Sequence, residues 1–151
     1  MITEDYVSFE TAKLLKEKGF KEWCFKCYGV AALHNGADIS FDEECELKDE
    51  GRENEIEYYM GLYDYGCNNR DKDAKVWAAP TLWVAMKWLR EIHNLHIQPE
   101  ITAWPRKGYF VGIYLYKNRH NNFEKVPFVE HKESYEEACE AGIKYCLENL
   151  I

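Results

Sequence analysis

Trp23-Cys24-Phe25-Lys26-Cys27 has the W-C-x-x-C form of a dithiol redox site, and Pro80-Thr81 lies 53 residues further on, where such a site would keep its proline loop. Dithiol chemistry needs a low-pKa thiolate at a helix N-terminus and a resolving cysteine one turn on. The context is different here. Only Phe20, Lys21 and Glu22 separate the motif from the preceding helix, the residues after Cys27 read as a strand, and Pro80-Thr81 opens a helix. In a regular strand, residues three apart also point to opposite faces, which would separate Cys24 from Cys27.

Zinc is the second chemistry open to these cysteines. Cys24 and Cys27 could be joined by His93-x-x-His96, by Cys45 and Cys67, or by His34. A structural site needs four ligands converging tetrahedrally. His93 and His96 end a helix, where histidine is favoured by the dipole in any case. The reading preferred for the six cysteines (24, 27, 45, 67, 139 and 146) is buried free thiols. Catalytic residues, cofactors and a metal are therefore not expected, with Cys24, Cys27, His93 and His96 kept as the redox or zinc alternative. There is no G-x-S-x-G, no phosphate-binding glycine loop and no H-E-x-x-H.

Carboxylates are the most abundant reactive groups, and they are concentrated. Residues 38–57 hold ten acids, among them Asp42, Glu43, Glu44, Glu46, Asp49 and Glu50, against Lys48 and Arg52 alone. That segment carries the whole net charge of −8, leaving the rest of the 151-residue chain neutral. Nothing apolar surrounds these acids to raise a pKa for general-acid work, so they read as solvated charge. Such a segment repels a phosphate backbone, which argues against nucleic acid as a partner and for a basic protein. The aromatics form a second feature, at 15% of residues. Tyr59, Tyr63 and Tyr65 are expected on one strand face and Phe110, Tyr114 and Tyr116 on another, with Met60 and Leu62, or Val111, Ile113 and Leu115, packing on helices.

Three amphipathic helices must position these groups. The first runs from about Phe9 to Lys18, with Ser8 as N-cap and Gly19 as stop. The second opens at Pro80-Thr81 and turns Leu82, Ala85, Met86, Leu89 and Ile92 inward. The third starts with the capping box Ser134-Tyr135-Glu136-Glu137 and buries Ala138, Cys139, Gly142, Ile143, Cys146, Leu147 and Leu150, with Glu140 and Lys144 paired outside. Strands are expected at Trp23–Leu33, Glu57–Tyr65, Ile97–Trp104 and Tyr109–Tyr116, the last two as a hairpin through Pro105-Arg106-Lys107-Gly108. The fold class is α+β, three helices on one antiparallel or mixed sheet of about four to five strands in the order α-β-β-α-β-β-α, as a single domain over 1–151. Residues 35–56 are expected as an acidic loop or insertion, and 68–75 as a second loop.

Val7 to Phe20, Ala79-Pro80-Thr81 with Lys87 to Ile97, and Tyr135 to Ala141 resemble a family of short phage- and prophage-encoded proteins of gut bacteria. The match covers about a third of the chain and leaves out 35–75. The resemblance implies a shared fold and a mobile-element origin, and carries no activity over.

The longest uncharged stretch, Val76 to Met86, has 11 residues, against about 20 for a bilayer span. The acidic start lacks the basic and apolar pattern of a secretory signal, so a cytoplasmic protein with reduced cysteines is expected. The function expected is a non-enzymatic interaction protein that meets a protein partner through the carboxylates of 42–50 and an aromatic surface of Tyr59, Tyr63, Tyr114 and Tyr116. Self-association is allowed by the aromatic face. A sharper version, mimicry of DNA phosphates to block a DNA-binding protein, needs carboxylates at regular spacing on a rigid element, whereas Gly36, Gly51 and polar neighbours suggest a flexible loop.

Overall fold

A computed structural model describes residues 4–102, 107–117, 122–128 and 130–151. The architecture is α+β, in two antiparallel sheets rather than one. The element order is α1 (Phe9–Glu17), β1 (Cys27–Leu33), α2 (Phe41–Asp49), a 3-10 turn (Glu53–Glu55), β2 (Ile56–Tyr63), β3 (Trp77–Ala78), α3 (Leu82–His93), β4 (Leu95–Thr102), β5 (Gly108–Tyr116), β6 (Phe123–Val126), β7 (His131–Lys132) and α4 (Tyr135–Asn149). The expected order of three helices in α-β-β-α-β-β-α is corrected by α2 and by the short strands β3, β6 and β7. These three strands have two to four residues each, too few for a period-2 pattern to show.

The three expected helices form for the expected local reasons. Ser8 caps α1 and Thr81 caps α3, each accepting from the amide three residues on. Ser134 and Glu137 form the reciprocal capping box of α4. Asn94 ends α3 in the left-handed region at φ 56°, a conformation a short polar side chain tolerates. One inward position of α3 differs from expectation. Ile92 is 61% exposed and Trp88 is buried, its ring edge-on to Phe20 at 5.5 Å. Positions 82, 85, 88 and 89 therefore form the buried stripe. It shifts toward the helix N-terminus because the last turn runs out past the core.

The core is made by α1, α3 and α4 against β4 and β5. Val7, Leu15, Phe20, Leu89, Leu95, Ile113, Ile143 and Leu147 are all but inaccessible to solvent. β4 and β5 pair from Leu95↔Leu115 to Thr102↔Gly108, and β6 and β7 add to the other edge of β5. Pro105 and Arg106 of the expected turn lie outside the described residues. Val111 and Ile113 face the helices as expected. Gly142 lets α4 lie close on that sheet, since a Cβ there would meet Ile97 Cγ2 at 2.7 Å and Val111 Cγ1 at 2.9 Å.

The second sheet, β2-β1-β3, stands at the side of this core. β2 is its edge, and here the expected burial fails: Met60 is 50% exposed and Leu62 39%. Both residues lie on the outer edge strand of this sheet, whose pairing with β1 shifts register between Tyr28 and Val30. Gly29 sits at that shift with φ +88°, and a Cβ would meet Lys75 O at 2.5 Å, so only glycine fits.

Candidate functional site

The segment expected as an acidic loop folds as α2. Ser40 Oγ accepts from the Glu43 amide at 3.3 Å, and the Glu43 carboxylate accepts from Ser40 N at 2.7 Å and Oγ at 2.9 Å. Those bonds hold the Glu43 carboxyl below its ordinary range, the backbone bond contributing most. Arg52 closes the far end, pairing with Glu50 at 3.2 Å and Glu55 at 2.8 Å. Gly36 and Gly51 both have positive φ, serving as turn positions at the ends of this segment.

Asp42, Glu43, Glu46, Asp49 and Glu50 are exposed on α2 and at its C-cap. Asp42, Glu46 and Asp49 have the i, i+4, i+7 spacing of one helix face. No ion-pair partner meets those three among the described residues. Glu44 is turned the other way and is 2% exposed. Its Oε1 accepts from Lys48 Nζ at 2.6 Å and from Tyr58 OH at 2.5 Å. The Glu44 bond raises the Lys48 pKa, and Lys75 Nζ lies 4.3 Å from the centre of the Tyr58 ring.

Between α2 and residues 65–76, above β1, is a cleft of about 660 Å³. Val30, Ala31, Ile39, Ala74 and Val76 give it apolar walls. Its charged residues, among those described, are Asp38, Glu44 and Asp71 against one cation, Arg70, with Ser40, Tyr65 and Asn68 as neutral polar lining. The wall formed by 65–76 is held at both ends. Cys67 is disulfide-bonded to Cys27, and Tyr65 OH donates to Gly29 O at 3.1 Å. At the other end, the buried Lys16 of α1 donates to Ala74 O at 2.5 Å and Val76 O at 3.0 Å. Burial pushes the Lys16 pKa down, while Asp71 and Asp73 oppose that. Lys16 reads in the sequence as one more solvated helix lysine. No local signal marks its role, because both acceptors are carbonyls about 60 residues away.

The cysteines are arranged differently from either chemistry considered for them. Cys27 bonds Cys67, not Cys24. This corrects the expectation of six free thiols; Cys24, Cys45, Cys139 and Cys146 are the free ones. Cys24 forms a backbone bridge with Cys67, and burial pushes its thiol up to about 12, the opposite of a poised nucleophile. Among the described residues no three His, Cys, Asp or Glu side chains converge in a way that could hold a metal ion. Cys24, Cys27, His93 and His96 are thus not gathered into one site. His93 packs on Trp88 at 4.6 Å and His96 on Tyr116 at 5.7 Å.

The four tyrosines are divided between the two sheets. Tyr58 faces α2, so its neighbour Tyr59 points to the opposite side, donating to Glu57 at 2.5 Å. The Tyr63 ring folds over Gly61, where an added Cβ would meet it at 3.3 Å. Tyr114 and Tyr116 belong to the other sheet. Tyr114 donates to Glu100 at 3.0 Å, and Tyr116 and Phe123 stack with their centroids 6.5 Å apart. The chain matches no protein-family model, no curated protein and no solved structure.

Proposed function

We propose that this chain is a small non-enzymatic interaction protein of a mobile element that binds a basic protein through the α2 face and the cleft beside it. The observation that carries this reading is that α2 is a capped helix. Its unpaired carboxylates therefore stand at regular spacing instead of being averaged over a loop. Fixed charge of one sign steers a partner of the opposite sign and selects against wrong ones. The tyrosines, being divided between the two sheets, are left out of this contact.

The test is a pull-down with the native chain beside a variant carrying Asp42→Asn, Glu46→Gln, Asp49→Asn and Glu53→Gln, which leaves the capping box and Glu44 intact. A basic protein retained by the native chain, and lost in the variant or at moderate salt, is the expected result. Equal recovery by both forms would remove the acidic face from the function. The same capped helix also favours DNA mimicry as a second reading, because it supplies the rigid spacing that version needs. Competition separates the two: duplex DNA displaces the partner of a mimic and leaves an ordinary basic partner in place.

A further inference from the structure

We infer that the cleft between α2 and residues 65–76 is a pocket for one lysine or arginine side chain of a basic protein partner. The inference rests on the proposed function and adds the chemistry of its central contact. Three properties of the cleft converge on an alkyl stem ending in a cation.

Its size suits a side chain or small ligand, at about 660 Å³ within the usual range of roughly 300–1,000 Å³. Its walls would accept the methylenes. Val30, Ala31, Ile39 and Val76 offer apolar surface of the kind along which lysine and arginine lay their stems. Its polar groups would accept the head. Three carboxylates, Asp38, Glu44 and Asp71, line the cleft against Arg70 alone.

Glu44 is the most buried of the three, at 2% exposed, and its Oε1 accepts from Lys48 Nζ and Tyr58 OH. Lys48 and Tyr58 hold that carboxylate in place, so a cation entering the cleft meets a group already oriented. Carboxylates prefer an N–H donor to an apolar tip. An anionic occupant would face the same carboxylates.

The probes are n-hexylguanidinium and the peptide Ac-Gly-Lys-Arg-Lys-Gly-NH2, titrated into the full chain with amide NMR as readout; n-hexanol and hexanoate serve as controls. Both cations are expected to shift the amides of Ala31, Ile39, Asn68 and Val76 saturably, with the peptide the tighter of the two and both controls inert. Asp38 and Asp71 are exposed, and among the described residues the hydrogen bonds Asp71 accepts come from amides of its own turn. Asp38→Asn with Asp71→Asn should therefore spare the fold and weaken both cations about three- to tenfold. The α2 face variant of the pull-down should weaken only the peptide. Shifts spread over α2 and lost only in that face variant would overturn the pocket while leaving the acidic-face reading standing. Saturable binding of the free cation as tight as the peptide would overturn the assignment to a protein side chain. Binding of hexanol or hexanoate in place of the cations would overturn the chemistry itself.

Discussion

Glu140 shows how much one side chain does across the core. It stands on α4, and its Oε1 accepts from the Ser8 amide at 3.0 Å and from the hydroxyls of Ser8 and Thr11. A carboxylate is thereby fixed at the N-terminus of α1, where the helix dipole favours negative charge. The expected Glu140–Lys144 pair is replaced: Lys144 instead meets Glu10 of α1 at 2.7 Å. Both residues thus bind α4 to α1. Glu140→Ala removes the acceptor of three donors and should cost about 1–2 kcal/mol. That corresponds to a melting temperature lower by roughly 2–8 °C for a chain of this size. Lys144→Ala, which breaks only an exposed pair, should move the transition by less than half as much. Equal effects in thermal unfolding would show that the charge at the α1 terminus is not the source.

Among the elements, α2 is the least anchored. It is tied to the sheet through Glu44 and Tyr58, and its own start depends on Ser40 and Glu43. Helices with little apolar burial depend on their caps more than buried ones do. Ser40→Ala should therefore loosen α2 by about 1 kcal/mol, a factor of roughly five in local opening. Hydrogen exchange at the amides of 43–49 should speed up by that factor, with α4 unchanged. The reverse pattern, a global loss of protection with no local change, would show that α2 unfolds only with the whole chain. The open aromatic face of the other sheet behaves oppositely, since its strands are backed by α4 and its side chains pack on one another.

At the scale of the molecule, the cleft lobe is held together, and tied to α1, by a few long-range links. The Cys27–Cys67 bond closes a separation of 40 residues, and Lys16 reaches from α1 to the far end of the same segment. Closing a loop of that length restricts the unfolded chain by an amount worth up to about 4 kcal/mol. Cys67→Ser should lower the unfolding midpoint accordingly, and reductant should do the same to the native chain and nothing further to the variant. Thiol titration in denaturant should find four groups before reduction and six after. Six at the outset would remove the bond. Among the described residues no helix is long and apolar enough to cross a membrane.

Local features are legible in the amino-acid sequence alone. Caps at Ser8, Thr81 and Ser134, with apolar positions three and four apart, specify α1, α3 and α4, because such signals act within a turn or two of helix. The alternation along 109–116 specifies β5, and the charge count locates the acidic face without any coordinates. The helical state of α2 hangs on one local signal, the Ser40–Glu43 box, which lies within ten acids that read as solvated loop and has little apolar periodicity in Phe-Asp-Glu-Glu-Cys-Glu-Leu-Lys-Asp to support it. Tertiary contacts alone settle the Cys27–Cys67 bond, the burial of Trp88 in place of Ile92, and Glu140 as the cap of another helix. Each of these depends on a partner 40 or more residues away or on where a neighbouring element stops. The candidate cleft is of the same kind: its walls come from β1, α2 and 65–76, three stretches with no common pattern, brought together by long-range bonds that periodicity does not encode.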